Sequence, residues 1–183
     1  SSDLKRAAKG VARKHGLLST FMAKPFADQD GNGLHIHLSL YDEERRNIFA
    51  GDNAEDPYSD ALRHAVGGLL QTIPDAMAIF APNANSYRRF RPGTYVPLTP
   101  NWGPNHRGVA IRLPVSESVD TRLEHRMAGA DANPYLVVAA ILAGIHSGLA
   151  NKCDPGPMVQ QGTLLGDDLP ITLPVRWEAA LDA

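Results

Sequence analysis

The sequence predicts an α+β domain, a sheet carrying helices on one face. Three observations lead there. GLHIHLSLY (33–41) alternates apolar and polar residues, the period of a strand with one buried face. TRLEHRM (121–127) repeats that alternation. DANPYLVVAAILAGIHSGLANK (131–152) is instead an apolar stretch of helical length, with Asn133 at the cap and Pro134 at the first helical position.

The other elements follow in chain order. SSDLKRAAKGVARKHG places Ser and Asp at a capping position, continues with good helix formers and stops at Gly16, so a helix is expected over about 3–15. LLSTFMAKPF (17–26) reads as a strand ended by Pro25, and ADQDGNG as a turn into the histidine strand. DEERRNIFAGDNAEDPY (42–58) reads as a polar hairpin and loop. SDALRHAVGGLLQTIPDAMAIFAP reads as a helix, a break at Pro74 and a second short helix. Residues 81–106 hold five prolines, so no regular element is expected there. So long an irregular segment, with aromatics and arginines arguing against disorder, points to function. RGVAIRLPV (107–115) reads as a strand. The helix from Pro134 is apolar nearly all round and is expected to be buried. CDPGPMVQQGTLLGDDLP (153–170) reads as loop, and PVRWEAALDA as a final short helix. There is no internal repeat.

The 183 residues suffice for one domain with a substantial core, and 43% hydrophobic with 21% charged is an ordinary soluble composition. A single cysteine, Cys153, excludes an internal disulfide framework and fits the cytoplasm. No apolar run reads as long enough to cross a bilayer, and no signal peptide opens the chain, so no membrane partner is expected. Residue 1 is serine, as in a processed chain or an excised piece. A net charge of −2 argues against a general affinity for nucleic acid.

A strand over 33–41 turns Leu34, Ile36, Leu38 and Leu40 one way and His35, His37 and Ser39 the other. A helix would set the two histidines about 200° apart. The polar row can bind a metal or an anion; equally, both imidazoles can hydrogen-bond on a partly wet sheet face. In TRLEHRM, Arg122, Glu124 and Arg126 share a face opposite Leu123 and His125. A carboxylate between two guanidinium groups stays ionised. That suits a metal ligand in an anion site, or a salt-bridge ladder on a solvated face. No lysine lies between Lys24 and Lys152, and residues 88–126 hold seven arginines against three acids. Several could converge on ATP or another polyphosphate, with the histidines and Glu124 holding its metal, while the remainder are surface groups. No Walker loop and no dinucleotide fingerprint occurs. Cys153 reads as an inert thiol. His15, His64 and His146 read as structural or surface residues, and Met22, Met77 and Met127 as core filler.

GNGLHIHLSL, NSYRRFRPG, NHRGVAIRLP, TRLEHR and ADANPYL…NKCDPG occur in the order and spacing of the glutamine synthetase superfamily. The chain resembles that family over almost its whole length, most of all the gamma-glutamylpolyamine and gamma-glutamylputrescine synthetase branch. The resemblance implies a mainly antiparallel curved sheet. It implies an ATP-dependent ligase joining an amine to the gamma-carboxylate of glutamate through a gamma-glutamyl phosphate, with two or more Mg²⁺ or Mn²⁺ per complete site. It makes His35 and Glu124 metal ligands. His37, Ser39, Arg112 and Arg122 fall at the ATP site, Gly31, Arg89 and Arg126 at the glutamate site, and Arg107 at the transferred phosphate. It implies a ring-shaped homo-oligomer in the full-length protein. Residues 1–183 would be the carboxy-terminal portion of the catalytic domain, without an amino-terminal small domain and upstream metal-binding strands, and inactive alone.

Two positions depart from glutamine synthetases. Asp30 stands where they carry an asparagine that contacts glutamate. Tyr95 stands where they carry the flap glutamate that binds ammonium, and tyrosine supplies no carboxylate at neutral pH. A polyamine-like substrate is therefore favoured over ammonia. The alternatives are a true glutamine synthetase and a non-catalytic structural relative; joint retention of His35, Arg89, Glu124 and Arg126 argues against the latter.

Overall fold

The computed structural model describes residues 2–53, 55–160 and 170–183. Among the described residues four short strands form one sheet: β1 (Ile36–Leu38), β2 (Trp102–Pro104), β3 (Ile111–Leu113) and β4 (Leu123–His125), in the order β1-β4-β3-β2. β4 runs antiparallel to both β1 and β3, while β2 is parallel to β3. The α+β expectation holds, with two of three pairings antiparallel.

Five helices among the described residues accompany the sheet: α1 (Ser2–Lys14), α2 (Asp60–Thr72), α3 (Met77–Phe80), α4 (Pro134–Asn151) and α5 (Trp177–Leu181). α2 begins where the Ser59 side chain accepts from the Leu62 amide, and α4 where Asn133 accepts from the Tyr135 amide. Pro74 separates α2 from α3, as expected. The 42–58 segment is a hairpin: Asp42 N–H donates to Arg46, and Tyr41 bridges Asn47.

The core lies between the sheet and the α2–α4 pair. Leu62, Val66 and Leu69 meet Val137, Ile141 and Ile145, and Ile111, Leu113 and Leu123 supply the sheet side. The helices cross at backbone contact. A Cβ on Gly68 would lie 2.3 Å from the Gly144 carbonyl oxygen, and one on Gly148 2.2 Å from that of His64. Only glycine permits that approach.

Several expectations need correction. Residues 17–26 are not a strand. Leu17, Leu18 and Phe26 are exposed and no ladder partner is present among the described residues. Side chains hold the segment instead: Lys24 N–H donates to Asn85 Oδ1, and Asn32 Nδ2 to the Met22 carbonyl. Met22 is exposed rather than core filler, whereas Met77 and Met127 are buried. Residues 81–106 are not wholly irregular, for they hold the 3-10 turn Ser86–Arg89 and strand β2. α4 is buried along one stripe only, with Tyr135, Leu136 and Leu142 exposed. By length and composition alone α4 would also suffice to cross a membrane, contrary to the expectation that no apolar run is long enough. In this fold its glycine stripe packs on α2. Of the 153–170 loop, 161–169 lie outside the described residues.

His125 is the unusual core residue. It is fully buried, stacks on Phe80 at 4.6 Å between ring centroids, and neither ring nitrogen has a hydrogen-bond partner among the described residues. Burial, with a smaller contribution from His35, lowers its pKa to about 3. Between about pH 6.5 and that value the unfolded chain binds a proton the native chain refuses. Stability should therefore fall as pH drops through this window, by at most about 1.4 kcal/mol per pH unit from this group. Urea midpoints at pH 7, 6 and 5 should decline for the wild type and flatten for His125→Leu. Parallel declines in the two proteins would show that His125 is not responsible.

Candidate active site

Strand alternation builds the site. Leu34, Ile36, Leu38 and Leu40 pack against the core, while His35 and His37 stand on the open face. On β4, Leu123 and His125 enter the core, which turns Glu124 to the face of the histidines. Register completes the row: His37 on β1 and Arg112 on β3 both pair with Glu124 on β4.

Glu124 is the hub and is 3% exposed. Its Oε2 accepts from Arg112 Nη1 at 2.8 Å, and its Oε1 from Arg126 Nη1 at 2.9 Å. His35 Nδ1 lies 3.0 Å from Oε1, and His37 Nε2 3.7 Å from it. Burial alone would raise the Glu124 pKa. Hydrogen bonds from His35 and Arg112 and the charge of Arg126 outweigh it and hold the carboxyl well below the usual range. The His37 pKa is lowered, by burial first and by Arg122, against an opposing effect of Glu124.

The His35 contacts fix its tautomer. Arginine only donates, so Nδ1 cannot accept from Arg126, 3.3 Å away, and also donate to Glu124. The shorter contact to an ionised carboxylate wins, and Nδ1 carries the proton. In the neutral imidazole Nε2 then keeps its lone pair, the arrangement of a metal-binding histidine oriented by a carboxylate.

Beside this row lies a cleft of ≈ 340 Å³ lined by Lys24, Asp30, Gly31, Gly33, His35 and Arg89, with Tyr95 and Arg126 at its walls. Arg89 is buried, with Nη1 3.4 Å from the Met127 carbonyl. Burial lowers its pKa and Asp131 opposes that shift. Gly31 passes over it so closely that a Cβ would lie 2.9 Å from Arg89 Cγ and from the Ala23 carbonyl oxygen. Arg126 reaches the cleft with Nη2 anchored on the Arg107 carbonyl at 2.7 Å.

The fold thus brings His35, His37, Glu124, Arg112, Arg126, Gly31 and Arg89 together. Ser39 and Arg122 sit farther along the same edge, Ser39 Oγ donating to the Thr121 carbonyl and Arg122 Nη1 to that of Asp120. The Arg107 side chain is exposed, and its charge acts on Arg126. Lys24 is a cleft residue that the sequence reading did not single out; no motif marked it.

The family model for the glutamine synthetase catalytic domain matches residues 2–183. The chain belongs to the glutamine synthetase family. It is 44% identical to gamma-glutamylputrescine synthetase PuuA of Escherichia coli (strain K12), over 97% of this chain and 37% of that protein. It is 37% identical to the glutamine synthetase of Thermococcus kodakarensis, over 91% of this chain and 37% of that protein. A solved structure of apo GmaS without ligand superposes with a TM-score of 0.85 at 35% identity, covering 98% of this chain and 41% of that one. The chain therefore spans little more than a third of these glutamine synthetase relatives.

Divalent-metal chemistry is only partly provided for. Among the described residues no group of three or more His, Cys, Asp or Glu forms a metal cage. Glu124 uses three of about four lone-pair sites, leaving one on Oε2. Because His35 turns Nδ1 to this carboxylate, its Nε2 points away from Glu124: as placed, Glu124 orients His35 toward an ion, and direct ligation of the same ion by both would require the imidazole to turn over.

Proposed function

We propose that the full-length protein is an ATP-dependent ligase joining an amine to the gamma-carboxylate of glutamate through gamma-glutamyl phosphate. The observation that carries this is the junction of two chemistries on one sheet face. An anion cleft floored by Arg89 adjoins a buried carboxylate that orients a histidine with a free lone pair.

Arg89 and Arg126 bind carboxylate in the cleft, and Gly31 leaves room above Arg89. His35 and Glu124 would hold Mg²⁺ or Mn²⁺, His35 through Nε2 and Glu124 directly once the imidazole turns from it, and the ion would neutralise phosphate charge. Arg112 and Arg122 stand on the ATP side with His37 and Ser39. Arg107, exposed and next to Arg126 through its backbone carbonyl, stabilises the phosphoryl group in transfer. Other parts of the full-length protein, assembled as a homo-oligomeric ring in the cytoplasm, supply the remaining metal ligands.

The amine is proposed to be larger than ammonia and polyamine-like. Tyr95 lines the cleft mouth and is 74% exposed, so an aromatic ring stands at the opening. The greater identity to gamma-glutamylputrescine synthetase supports the same reading. With ammonium and putrescine in competition, mass spectrometry should find gamma-glutamylputrescine. Glutamine as the sole product would reverse the assignment. Tyr95→Glu should lower the KM for ammonium on the order of tenfold, the worth of one charge-assisted hydrogen bond. An unchanged ammonium KM would remove Tyr95 from amine selection.

A further inference from the structure

The 86–91 segment has two sides. Arg89 floors the substrate cleft, while Arg88 and Arg91 line a second, outer cleft of ≈ 320 Å³. Tyr87, Phe90 and Trp177 also line it, with Tyr87 5.9 Å from Phe90 and 6.3 Å from Trp177 between ring centroids. Tyr87 and Phe90 are buried, so the half-buried Trp177 offers the accessible aromatic face. Arg176, beside Trp177, brings a third guanidinium, and Glu178 is the one acid in the lining. Arg88, Arg91 and Arg176 are exposed, and none makes a side-chain hydrogen bond or ion pair among the described residues.

We propose that this outer cleft is a binding site for an aromatic phosphate, the chemical class that includes nucleoside monophosphates. Three guanidinium groups around one opening present forked donors to a phosphate. The Trp177 face suits a planar ring, which stacks offset or edge-on. The volume lies in the range of small-ligand sites. The cleft backs onto the substrate site: the Phe90 ring, part of its lining, also carries the Arg89 guanidinium 5.7 Å from its centroid. The binding claim does not depend on the ligase reading, because none of its three arginines is assigned a part in the reaction.

The probe is phenyl phosphate, titrated into the chain by calorimetry and by tryptophan fluorescence. Trp102 is buried, so a saturable change reports Trp177. Inorganic phosphate should bind more weakly, by up to about tenfold, for want of the ring contact. The double variant R91A/R176A removes two exposed charges and should bind phenyl phosphate on the order of a hundredfold more weakly, about tenfold for each lost contact. Full affinity in that variant, inorganic phosphate binding equally well, or binding without a change in Trp177 fluorescence would each overturn the proposal.

Discussion

Glu124→Ala is expected to lose about 3–5 kcal/mol of folding stability, the usual cost of removing one partner from a buried ion pair. Arg112 and Arg126 both donate to this carboxylate. Without it, two guanidinium groups face each other across adjacent strands, and Arg126 is 6% exposed. His35 loses the acceptor that fixes its tautomer. The full-length variant should also lose nearly all metal-dependent turnover. Glu124→Gln separates the two effects: the shape is kept and the charge is lost, so it should fold better than the alanine variant and still turn over poorly. Chemical denaturation reads the first effect, and a metal titration of turnover the second. Near-normal metal dependence in either variant would exclude Glu124 from the ion's ligands.

Gly148→Val is the second large effect. The added Cβ would lie 2.2 Å from the His64 carbonyl oxygen and 2.8 Å from the Gly68 amide nitrogen. Both are backbone atoms of α2 and cannot swing aside, so α2 and α4 must part. Overpacking of side chains alone costs about 1–3 kcal/mol. Separating two helices should exceed that, at about 3 kcal/mol or more, read as a lower urea midpoint than wild type. Gly10→Ala is the control, since a Cβ there meets nothing within 4 Å. Equal midpoints for Gly148→Val and the control would mean that the helix crossing is not close-packed.

The two faces of β1 and β4 were legible in the sequence because strand periodicity assigns each side chain to a side. His35 and His37 against Leu34 and Ile36, and Glu124 against Leu123 and His125, all stand as read. The convergence on Glu124 was not legible. It depends on register, and on β3 inserting between β4 and β2, which no local pattern encodes. The segment 17–26 has strand composition but no ladder partner among the described residues; composition does not supply one. α4 looked apolar all round, and its buried side was decided by Gly144 and Gly148 meeting α2. Gly31 was placed by resemblance, yet its physical role emerges only from the close passage over Arg89.

The most direct test of the ligase assignment is phosphate release by the full-length protein given ATP, Mg²⁺ and glutamate, with and without putrescine. The account predicts release that requires both glutamate and the amine and that collapses in Glu124→Gln. ATP hydrolysis indifferent to glutamate and amine, or no hydrolysis with any amine including ammonium, would contradict it.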